Sequence, residues 1–229
     1  MTTRRGGAVR VQIILWSCFL LVGPASQPLL GQASRDVTES MVEQWMTDLS
    51  NWGRWGDDDQ LGTLNLITPE KRLQASSLVR VGTSVSLSHN YLKERAADAT
   101  SPFVHEMSGV GGRGVFVGDR YSISYHGYAH SHLDALCHMM HEGRLYNGYV
   151  RDDEVTEAGC NKLAIINFKQ GIVTRGILMD IARLKGVEYL EPGTPIYVED
   201  LEAWEQEAGI RVGSGDIVLV RSGRWARRA

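Results

Sequence analysis

The sequence predicts a single domain of the α/β class, on three observations. Apolar residues recur at helical intervals over 37–49, and they alternate with polar ones at strand spacing over 81–89. At 229 residues the chain suits one good-sized core, and it shows no internal repeat, coiled coil or second domain. Its 25 glycines against six prolines mark many turns, as a strand-rich fold has. A hydrophobic share of 43% and a charged share of 22% exclude a largely disordered chain. The formal net charge of -3 gives no reason to expect nucleic acid or an anionic membrane as partner. A core of this size should need no disulfide staple. Cys137 and Cys160 are neither a C-x-x-C pair nor near another thiol, so they do not compete as a ligand cluster.

The first 33 residues read as a signal peptide. Arg4, Arg5 and Arg10 precede an apolar stretch at 11–22, and Gly31-Gln32-Ala33 offers small residues where a signal peptidase reads. The stretch is interrupted by Gly23, Pro24 and Ser26, shorter than the ~20 residues a spanning helix needs. Export, to a periplasm or beyond the cell, with cleavage near Ala33 and no stable membrane anchor, is therefore expected, leaving a mature domain at 34–229. Cys18 leaves with the signal.

In that domain Val37, Met41, Val42, Trp45 and Leu49 predict a helix, capped by Thr38. Trp52 and Trp55 then stand beside Asp57, Asp58 and Asp59. These acids lack the alternating oxygens and central glycine of a calcium loop and read as solvated groups at a helix entrance. Thr68 and Pro69 open a second helix that stops near Gly82. The alternation at 81–89 predicts a strand ending at His89, residues 90–114 a glycine-containing loop, and 115–117 and 121–125 two short strands. Asn147-Gly148 is a turn pair. Beyond it a strand is expected at 172–179, a helix or turn at 180–184, an amphipathic helix at 198–207 and a buried strand at 217–220.

Residues 126–141 hold five of the seven histidines and one aspartate. Imidazole and carboxylate are the ligands that borderline divalent metals prefer. If 128–134 is extended, His130, His132 and Asp134 share a face, and His138 returns to that side if a helix begins at Asp134. Taken singly, each histidine reads as core or surface. Together, His132, Asp134 and His138 read as a metal site.

Tyr128, His130, Ser131, His132, Asp134, Leu136 and His138 stand where the bacterial cyclase family has its signature His-x-Gly-Thr-His-x-Asp-x-Pro-x-His. The segment resembles that family, which includes metal-dependent kynurenine formamidases and isatin hydrolases. The stretch 51–65, Gly143 to Gly148, and the Gly215-Asp216-Ile217-Val218-Leu219-Val220-Arg221 run resemble further blocks of its longer subgroup. The resemblance implies a swivelling β/β/α fold, often as a homo-oligomer, and a divalent cation, zinc or manganese, on His132 and Asp134. It also implies His138 as acid or base in hydrolysis of a small amide, arylformamide or cyclic amide. A non-catalytic relative that binds a metal or small ligand is the alternative. Tyr128 replaces the first metal-binding histidine, His130 replaces glycine and Leu136 replaces proline. Two protein ligands are fewer than the three a catalytic zinc takes. In the formamidases further histidine and glutamate ligands lie beyond the strand at 217–220. His130 or His126 takes over, a partner chain contributes, or the chain is a truncated copy of a longer enzyme, which the arginine-rich ending favours. No Gly-x-Ser-x-Gly elbow suggests a serine hydrolase.

Overall fold

The computed structural model describes residues 36–228, so the signal peptide expected over 1–33 lies outside the described residues. No helix among those residues is long and apolar enough to cross a membrane. Both predicted caps form. The Thr38 hydroxyl accepts from the Met41 amide at 3.3 Å at the start of α1 (Glu39–Asp48). Thr68 accepts from the Lys71 amide at 3.2 Å, with Pro69 in the first turn of α2 (Pro69–Ser76).

Among the described residues helices and strands mix in one domain, as the α/β reading expects, and the strands pair as three small sheets. β1 (Val104–Ser108) runs antiparallel to β2 (Gly118–Ser122), with Val104 opposite Ser122. A short helix, α3 (Arg151–Glu154), leads into β3 (Val155–Thr156), which turns back on β4 (Gly159–Cys160). β5 (Gly176–Asp180) lies parallel to β6 (Ile217–Arg221), and the crossover between them carries α4 (Ile181–Leu184) and α5 (Val198–Ala208). α6 (Arg224–Arg228) follows.

Several expected elements move. Residues 81–89 are not a strand: the alternation is present, but no neighbouring edge pairs with it, and Val81, Val85 and Leu87 stay exposed. The expected loop at 90–114 instead contains β1, whose partner begins at Gly118. Residues 115–117 therefore become the connection, and Val115 is 94% exposed. The strand at 217–220 forms but is not buried, with Val218 and Val220 exposed on one face.

Two apolar clusters hold the domain. One gathers Ala135, Cys137, Leu145 and Leu163 beneath the histidine segment. The other gathers Ile177, Met179 and Ile181 under Leu201 and Trp204 of α5. The first contains the main departure from expectation, because Cys137 and Cys160 form a disulfide across 23 residues with Cα atoms 6.5 Å apart. Sequence distance hid it: the β3–β4 hairpin folds Cys160 back onto the segment bearing Cys137. Closing a loop of that length removes about 3 kcal/mol of unfolded-chain entropy.

Asp216 ties α2 to the parallel pair. Its fully enclosed carboxylate accepts from Lys71 Nζ at 2.5 Å, from the Gly213 amide at 2.7 Å and from both Nε and Nη2 of Arg175. The Arg175 hydrogen bond dominates in holding its carboxyl well below the usual range, against the effect of burial. Gly215, at φ +74, lets the chain pass beside the Leu66 carbonyl where a side chain would collide.

Candidate metal centre

The segment 51–65 is clamped beside the histidines. Asn147 accepts from the Gly53 amide at 2.6 Å and donates to the Gly56 and Asp57 carbonyls, both at 2.9 Å. Tyr146 donates to Asp59 at 2.8 Å. Asp59 also receives the Gly62 amide and Asn65, so it does stand at a helix entrance, the 3-10 turn Gly62–Leu66, but as a bonded group and not a solvated one. Burial raises its pKa, yet the hydrogen bonds from Asn65, Gly62 and Tyr146 outweigh it and leave the carboxyl below its ordinary range. Burial first, then the Asp59 hydrogen bond, pushes the Tyr146 phenol well above its own.

Residues 126–129 form a turn, with Gly127 at φ +112, and the chain then runs irregularly extended to a 3-10 turn at Leu136–His138. The turn at 126–129 brings the candidate ligands together. It swings the His126 ring back over Asp134, with Nδ1 at 2.9 Å from Oδ1. His132 Nε2 lies 3.4 Å from Asp134 Oδ2, and His138 Nδ1 lies 3.2 Å from Oδ1. Donor atoms of His126, His132 and Asp134 all fall within 4.8 Å of one another. Metal–ligand bonds of about 2.1 Å in tetrahedral array put donors about 3.4 Å apart, so the set fits a small divalent cation. His126 is thus the third potential ligand beside His132 and Asp134, whereas the Tyr128 ring is exposed and lies 5.9 Å from the Arg224 guanidinium.

His130 does not join. The same turn sends its ring inward, where it is 6% exposed, meets Tyr91 edge-on at 5.4 Å and has no hydrogen-bond partner for either nitrogen among the described residues. The expectation that His130, His132 and Asp134 share one face fails because 126–129 is not extended. His130 contributes through its backbone: its carbonyl accepts from His132 Nδ1 at 2.8 Å, which fixes the tautomer and leaves Nε2 with a lone pair toward Asp134.

His138 is held by Nδ1 on the same carboxylate, which leaves its Nε2 free to take a proton. The His138 hydrogen bond, the largest influence, holds the Asp134 carboxyl below the usual range against the opposing effect of desolvation. The His132 ring is the most enclosed of the ligands, at 18% side-chain exposure, against 55% for His126 and 48% for Asp134. Two cavities flank the loop. One of about 360 Å³ is lined by Asp134, Met139, Met140 and Trp52. The other, of about 340 Å³, is lined by His138, Tyr125, Leu133 and Ile165. The His89 ring lies against Trp225, tilted, with centroids 4.1 Å apart.

The chain belongs to the Cyclase family: the family model described as "Putative cyclase" matches residues 36–229. A crystal structure described as that of a novel cyclase is similar to it, at 31% identity and a TM-score of 0.67 over 77% of this chain. The match spans 62% of that structure's chain. Among curated proteins none matches.

Proposed function

We propose that the protein is a metal-dependent hydrolase of a small amide, arylformamide or cyclic amide, on the swivelling β/β/α fold of kynurenine formamidase-like cyclases. The observation that carries this reading is the convergence of His126, His132 and Asp134, with His138 on the same carboxylate. His126 Nδ1, His132 Nε2 and an Asp134 oxygen would hold the cation, zinc or manganese. When bound, it supplies Lewis acidity and makes hydroxide available near neutral pH.

The remaining chemistry belongs to the chain. Asp134 orients His138 through Nδ1, so Nε2 accepts a proton as the nucleophile forms and returns it to the leaving nitrogen. The exposed side of Asp134 and His126 leaves an approach for the substrate carbonyl, and Trp52, Met139 and Met140 offer an apolar wall for an aryl group. Export of the mature domain is part of the same proposal, and the Cys137–Cys160 disulfide supports it, since such bonds persist in oxidising compartments.

Elemental analysis of the purified chain, followed by assay of N-formylkynurenine and isatin, tests the reading. One divalent ion per chain and metal-dependent turnover are expected. His138→Ala should lower kcat by about 10²- to 10⁴-fold while the metal content is unchanged. Metal retained without turnover of either substrate would point to the non-catalytic relative instead.

A further inference from the structure

A second trio of potential ligands begins three residues beyond the first. The sulfurs of Cys137 and Cys160 and a ring nitrogen of His138 all fall within 4.8 Å of one another. The two sulfurs are bonded, so they offer no thiolate in this state. The geometry around them is nonetheless that of a ligand set. Cys137 is buried in the 3-10 turn that carries His138, and Cys160 is half-buried at the end of β4. Both open with His138 onto the same 340 Å³ cavity, which gives a reductant and an ion a common route in. Two thiolates and an imidazole bind a borderline or soft cation, zinc above all, and leave a fourth position for water. Sulfurs around zinc sit about 3.8 Å apart, given bonds of about 2.3 Å. With Cα atoms 6.5 Å apart, side-chain rotation alone reaches that separation once the bond between the sulfurs is gone.

We propose that Cys137, His138 and Cys160 form a redox-gated metal site that, when loaded, silences the hydrolytic centre. A dithiol reductant opens the bond: one of its sulfurs attacks Cys137 or Cys160, the Sγ–Sγ bond breaks, and two electrons pass to the cysteines. The dithiol leaves as its own cyclic disulfide. Its two protons go to the cysteine sulfurs and are released when a cation binds there. The cation recruits a ring nitrogen of His138 and so draws the ring away from Asp134, which its Nδ1 otherwise meets at 3.2 Å. The proton carrier is withdrawn while His126, His132 and Asp134 are untouched. The silencing half of this proposal rests on the hydrolase reading; the metal site does not.

Cobalt(II) added to the full chain separates the two. The protein is reduced with excess dithiothreitol, desalted without air and titrated with Co²⁺, beside an unreduced sample. A thiolate-to-cobalt charge-transfer band in the near ultraviolet, one equivalent per chain, is expected only after reduction. It should be absent in Cys160→Ser and in the Cys137→Ala/Cys160→Ala double variant. The centre at His126, His132 and Asp134 holds no sulfur and cannot produce that band. With an active chain, reduction plus Zn²⁺ should lower turnover by about a hundredfold, the usual worth of a positioned acid–base group. The double variant should keep its rate under the same treatment. Reduced wild type that binds no cobalt through sulfur, or that has lost its near-ultraviolet circular dichroism, overturns the proposal and leaves the hydrolase reading standing. An unreduced chain that never hydrolyses either substrate sinks that reading alone, with the sulfur band unaffected.

Discussion

Asp216 and Asp134 show what one carboxylate does in two settings. Asp216 is enclosed and faces Lys71 and Arg175, so replacing it with asparagine strands two cations beside a neutral amide. Asp216→Asn should cost about 3 kcal/mol, read from the urea midpoint. The pH dependence follows from the depressed folded-state pKa. A depressed carboxylate contributes fully above its unfolded value of about 3.9 and loses that contribution as pH falls through the folded one. The stability gap between wild type and Asp216→Asn should hold steady near neutrality and close progressively as pH falls below about 5. The proximity of His132, Asp134 and His138 was legible in the sequence because spacings of two and four bring them near one another in most local conformations. His126 stayed one of several alternatives because its approach depends on a left-handed glycine at 127, which no periodicity reports. His130 misled for the same reason: alternation assumes an extended chain, and the turn reverses its side.

At the scale of the element, local chemistry was readable and pairing was not. Thr38 and Thr68 cap their helices because a cap needs only the next three residues. The alternation at 81–89 found no partner strand, while β1 formed inside a stretch read as loop because β2 lay within hairpin reach. The disulfide likewise depends on where a hairpin returns. Gly215, between α2 and β6, offers a sharp check on the element packing. Alanine there meets both a positive φ and the Leu66 carbonyl, so Gly215→Ala should lower stability by about 2 kcal/mol in denaturant titration. Gly213→Ala, at ordinary φ with only side-chain atoms nearby at 3.5 Å or more, should cost much less.

For the whole molecule, ligand binding and folding are coupled. A cation that binds only the folded centre stabilises it by about 2.7 kcal/mol at a free concentration of a hundred times Kd. For a domain of this size that is a rise in Tm of roughly 5 to 11 °C. Scanning calorimetry with zinc, and again after chelation, should show the rise and its reversal, and His132→Ala should show neither. The two apolar clusters have a different consequence. Ile177, Met179 and Ile181 share no buried member with Ala135, Cys137, Leu145 and Leu163. Such separately cored regions open as separate cooperative units. Deuterium should therefore enter in two waves, the amides around residues 135–163 exchanging at a different rate from those of β5 and α4. Occupying the centre with zinc should slow exchange around residues 135–163 alone and leave the parallel strands at their own pace.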